Sequence, residues 1–76
     1  MKNYYNNTRF AAIVTVNVES SNDLKAGLLV SQPGEDKVVS ARDSTPGYHD
    51  VWVDAGKELR VADGTVASFI AVRSGP

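Results

Sequence analysis

Histidine is the residue type suited to proton transfer near neutral pH, and this 76-residue chain holds one, His49, and no cysteine. Imidazole is the natural proton shuttle at that pH, so His49 is the first place to look for catalysis. Its neighbours do not equip it. Tyr48–Val53 alternates like a strand, and adjacent strand residues face opposite ways, so Asp50 cannot orient the ring. A hydrolytic site needs nucleophile, base and orienting acid converging in space, and none of the serines sits in a G-x-S-x-G turn. No catalytic residue is expected. Calcium would need six to eight oxygens from clustered ligands, and no D-x-D-x-D-G loop occurs. Asp50 and Asp54, four residues apart, are the carboxylates placed to share a hard cation at a strand end; as solvated turn residues they need none. No metal and no cofactor are expected. Asn6-Asn7-Thr8 matches a glycosylation acceptor and is read as chance.

Binding is the better-equipped chemistry. Tyr48 and Trp52 fall at i and i+4 of one strand, hence on one face. Such rings stack on sugars or proline-rich peptides and are favoured anchors of protein interfaces. The alternative is that this face is core, with His49, Val51 and Val53 outside. Exposing two valines together argues against it. Tyr4 and Tyr5, side by side near the start, offer contact area at little entropy cost. Ile13 and Leu29 complete the candidate binding residues, because the apolar alternation around each turns them away from the core face.

These residues must be held by strands. From Phe10 through Ala12, Val14, Val16 and Val18 every second residue is apolar, which marks a strand over Arg9–Glu19 with one buried face. Turn residues then separate Leu24–Ser31, with Leu24, Ala26, Leu28 and Val30 on one face, from Lys37–Ala41, Tyr48–Val53, Glu58–Ala62 and Thr65–Arg73. Asp63-Gly64 reads as a two-residue hairpin turn. The last strand is apolar on both sides, Val66, Ile70 and Val72 against Ala67, Phe69 and Ala71. About six strands at spacings near ten residues predict an all-β fold, a small antiparallel sandwich or barrel. Residues 9–76 form its single domain. Residues 1–8, polar and asparagine-rich, are a short extended N-terminal arm outside the core that frays or docks on a neighbour. At most one helical turn fits, around Ser21–Leu24.

Composition narrows the function. Eight Lys and Arg against nine Asp and Glu leave a net charge of −1. They are scattered singly, so no basic stripe points to nucleic acid. No apolar run approaches a membrane span. The opening MKNYYNNT lacks the apolar core of a signal peptide, which points to cytoplasmic synthesis and a place in the cell or a virion. So small a domain, without disulfides, gains from association. The expected function is non-enzymatic: a structural or assembly domain that forms homo-oligomers or decorates a larger particle, as phage or virus coat accessory proteins do. A carbohydrate- or peptide-binding module using the Tyr48–Trp52 face is the alternative. A small inhibitor presenting Gln32–Asp36 or Arg42–Gly47 to a protein partner is a third reading.

Overall fold

The computed structural model describes residues 3–34 and 38–74. Seven strands are present among them: β1 (Asn3–Tyr5), β2 (Ala12–Ser21), β3 (Leu28–Ser31), β4 (Val38–Arg42), β5 (Gly47–Val53), β6 (Glu58–Val61) and β7 (Thr65–Ser74). They form two antiparallel sheets, β1-β6-β3-β4 and β5-β2-β7. The all-β two-sheet architecture read from the alternation is therefore present, and no helix occurs among the described residues. The accessible area of 4617 Å² is close to the roughly 4,500 Å² that size scaling assigns to a compact chain of this mass.

The core lies between the sheets. Val14, Val16 and Val18 of β2, with Val51 and Val53 of β5, face Leu28, Val30, Leu59 and Val61 of β3 and β6. Opposed residues of antiparallel neighbours share a face, so these pairings also fix which residues point outward.

The N-terminal segment is extended, as expected, but it does not lie outside the core. Asn3, Tyr4 and Tyr5 pair with Arg60, Leu59 and Glu58 of β6, and Tyr4 packs against the core. The anchor is Asn6, whose side chain is fully buried. Its amide donates to the carbonyls of Phe10 at 2.8 Å and Val53 at 3.0 Å, and its Oδ1 accepts from Thr8 Oγ1 at 2.6 Å. That burial also removes Asn6 as a glycan acceptor in the folded chain. Met1 and Lys2 lie outside the described residues.

Two strand boundaries differ from the periodicity for a shared reason: side-chain turns win over the ladder. Thr8 N donates to Asn6 Oδ1 and Phe10 N to Thr8 Oγ1, which bends the chain and leaves Phe10 66% exposed rather than in the core. Lys25 N donates to Asp23 Oδ1 and Ala26 N to the Asp23 carbonyl, so β3 starts only at Leu28 and Leu24 is exposed. At the other end, the expected start of the third strand, Lys37, lies outside the described residues, as do Glu35 and Asp36 of the 32–36 loop.

Asp63-Gly64 turns the chain but makes no hairpin. Gly64 has φ +85 and no non-glycine residue has positive φ among those described, so the turn is not the type that pairs its flanking strands. β6 and β7 enter different sheets.

Candidate functional site

The outer face of the β5-β2-β7 sheet carries the aromatic pair. Tyr48 opposes Asn17, Asp50 opposes Thr15, and Trp52 opposes Ile13 on β2. On the far side of β2, Asn17, Thr15 and Ile13 oppose Ser68, Ala71 and Arg73 of β7. Tyr48 is 72% and Trp52 41% exposed, while Val51 and Val53 of the same strand are buried. The face is thus a three-by-three grid with aromatic rings at one edge, and the reading in which Tyr48 and Trp52 are core is excluded.

The polar residues of the grid hold it in shape. Thr15 Oγ1 donates to Asp50 Oδ1 at 2.7 Å, and Arg73 Nη2 lies 3.4 Å from Asp50 Oδ2. Both Asp50 and Arg73 side chains are well exposed, so this ion pair contributes less than about 1 kcal/mol. Its role is geometric. Trp52 Nε1 donates to Asp54 Oδ1 at 2.6 Å, which fixes the indole plane. Asp50 and Asp54, the carboxylates considered for a shared cation, are therefore engaged with different partners. Among the described residues no group of three potential ligands could hold a metal ion.

His49 points to the opposite face, opposing Val16, and its Nε2 bonds the carbonyl of Thr45 at 2.5 Å. A carbonyl only accepts, so that nitrogen carries the proton. Asp50 is turned away from it, as the alternation requires.

The remaining candidates do not join this face. Leu29 opposes Arg60 and Ala41 on the outer side of the other sheet, where it is half-buried. Tyr5, exposed, opposes Glu58 on that same outer side, and Tyr4 turns inward. Only Ile13, Tyr48 and Trp52 come together. The Arg42–Gly47 connection is pinned by Ser44, which is fully buried and whose N–H donates to the Leu24 carbonyl at 2.8 Å. A depression lined by Glu19, Asp63, Thr65, Val66 and Ser68 among others lies at the β6–β7 turn, away from the aromatic pair.

Sequence reasoning missed two features. Asp50, Thr15 and Arg73 form a cluster from three strands, for which no single segment carries a signal. The second is a bulge in β7. Val16 opposes Phe69 and Thr15 opposes Ala71, which leaves Ile70 as an extra residue. Beyond it the faces exchange. Val66 and Ser68 share the outer side with Ala71 and Arg73, whereas Ala67 and Phe69 share the inner side with Val72. The expected grouping of Val66 with Val72 is thereby corrected.

No known protein family, curated protein or solved structure matches this chain. No helix among the described residues is long and apolar enough to cross a membrane.

Trp52→Ala is expected to lower stability by about 1 kcal/mol, well below the roughly 3–5 kcal/mol of a core tryptophan or phenylalanine deletion. A thermal melt followed by circular dichroism checks this. A loss in the core range would place the ring among the residues that hold the fold.

Proposed function

We propose that this protein is a non-enzymatic assembly domain, a small β-sandwich that self-associates or coats a larger particle, as accessory proteins of virus and phage coats do. The observation that carries the reading is the apolar free edge of β7: Val66, Ile70 and Val72 are 52%, 54% and 48% exposed along one ten-residue strand, with Val66 and Val72 on opposite sides of it. Soluble monomers scatter single exposed apolar residues; several on one edge element mark a contact surface. Sedimentation from about 5 to 500 μM tests it. The mass is expected to rise with concentration, and a constant monomer mass across that range would refute the reading. Arg73 is the only charge on β7, so salt is expected to change the association only modestly.

A second reading has its own support in the Tyr48–Trp52 face. The two rings lie about 13 Å apart along the strand, with Asp50 and Thr15 between them as polar partners. That arrangement suits a sugar chain or an extended peptide laid across the strands. Titration of oligosaccharides against the protein and against Trp52→Ala tests this: binding lost with the fold intact supports it, and no binding by either protein counts against it.

A further inference from the structure

We infer that two copies of this chain join by antiparallel pairing of β7 with β7, about a two-fold axis between Phe69 and Ile70, to make one six-stranded sheet. This rests on the self-association proposed above and names its geometry. β7 is an edge strand, paired only with β2. It is longer than the other edges: β1 has three residues, β4 five and β5 seven. Edges are ordinarily blunted by lysine, proline, inward charges or a bulge. β7 has no lysine, no proline and no inward charge; of these devices it carries only the bulge at Ile70, which the pairing accommodates, and Arg73 is its only charge.

The bulge supplies the self-complementarity. In an antiparallel pair the numbers of opposed residues have a constant sum, and opposed residues share a face. Full overlap of residues 65–74 with their copies pairs Val66 with Arg73, Ser68 with Ala71, Ala67 with Val72, and Phe69 with Ile70. In a regular strand those pairs would join opposite faces. Because Ile70 is an extra residue, the outward set (Val66, Ser68, Ala71, Arg73) maps onto itself about the midpoint, and Ala67 and Val72 exchange within the inward set. A one-residue slip would set outward residues against inward ones across the bulge, so the full overlap is also the face-consistent register. No like charges meet, since Arg73 opposes Val66. The occupant that fits such an edge is therefore another copy of itself, an isologous contact.

A strip of about 33 Å by 10 Å per partner buries roughly 700 Å² in total, at the low end of specific interfaces. Association is therefore expected to be weak, with half-dimerisation at tens of micromolar or above.

Cross-linking tests the register, and the absence of native cysteine keeps it clean. Chains carrying Ser68→Cys are mixed with chains carrying Ala71→Cys and oxidised at a concentration where sedimentation is measured in parallel. Residues 68 and 71 of different copies are opposed, whereas 68 and its own copy are offset by three residues, about 10 Å, beyond disulfide reach. The mixed disulfide is expected to exceed either homodimer about tenfold. Ile70→Lys, at a half-exposed position, sets two cations beside each other at the axis. It is expected to weaken association at least tenfold while the circular dichroism spectrum is kept. Self-association with no preference for the mixed disulfide, or one indifferent to Ile70→Lys, overturns β7 pairing and leaves the assembly reading standing. A monomer at every concentration overturns both.

Discussion

Asn6→Ala is expected to cost about 3 kcal/mol or more, and to lower the thermal midpoint by roughly 12–24 °C in a domain of this size. The side chain is fully buried and makes contacts in both directions. It donates to the Phe10 and Val53 carbonyls and accepts from Thr8 N at 3.1 Å and Thr8 Oγ1 at 2.6 Å. Alanine removes the donor to two carbonyls and leaves a cavity where the buried amide stood. The backbone of the same residue ties β1 to the β5–β6 turn, donating to the Lys57 carbonyl at 2.9 Å and accepting from Gly56 N at 2.8 Å. Losing the side chain therefore loosens the strand beside it. Asn6→Asp keeps the acceptor but brings a charge into a buried site, so it is expected to be no milder. Asn7→Ala, at an exposed neighbour, is the control. A midpoint shift under about 4 °C for Asn6→Ala would show that the buried amide is not what fastens the N-terminal strand.

Gly27→Ala is the second large effect, expected at about 2–4 kcal/mol from overpacking together with displaced hydrogen bonds. A Cβ on Gly27 would stand 2.5 Å from Ser44 Oγ, 2.5 Å from Thr65 Oγ1 and 2.7 Å from Ser21 Oγ. Those hydroxyls are already committed. Ser44 Oγ accepts from Gly27 N at 3.0 Å and donates to the Asp23 carbonyl at 2.7 Å, and Ser21 Oγ shares a 2.7 Å bond with Thr65 Oγ1. The knot ties the end of β2 to the start of β7 and to the connections before β3 and β5. Adding Ser44→Ala to Gly27→Ala removes one of the three close approaches, so the two losses are expected to add to less than their sum. Denaturant titration of the parent protein, the two single variants and the double variant measures this. A single-variant loss below about 1 kcal/mol would mean the hydroxyls rearrange freely.

The two-layer architecture was legible because period-two alternation has a direct physical cause. β2 shows it: Val14, Val16 and Val18 are buried and Ile13 turns outward, as the pattern requires. The orientation of Trp52 was legible too, since Val51 and Val53 could not both be left in water. Local competition was harder to see. Phe10 and Leu24 fit the apolar rhythm, yet Asn6, Thr8 and Asp23 supplied side-chain bonds that bent the chain first. The Asn-x-Thr spacing carried that signal as a turn, one residue pair that also resembles a glycan acceptor. Partner choice was not written locally. Asp63-Gly64 marks a reversal equally well for a hairpin and for a step between sheets, and only the packing of β6 on β3 and of β7 on β2 decides which. The bulge at Ile70 is likewise a property of two strands together. Every residue after it reads on the wrong face until β2 is laid alongside.

The placement of β2 has a consequence for how the molecule comes into being. Its two neighbours are β5 and β7, segments that begin 26 and 44 residues further along than its last residue, Ser21. During synthesis this central, valine-rich strand must therefore wait, one flank bare, until nearly the last residue described has left the ribosome. Distant pairings of this kind close on the order of milliseconds to seconds, not microseconds. For that interval a newborn molecule exposes a valine-rich ribbon to its neighbours, so crowding and production rate bear on yield as much as equilibrium strength does.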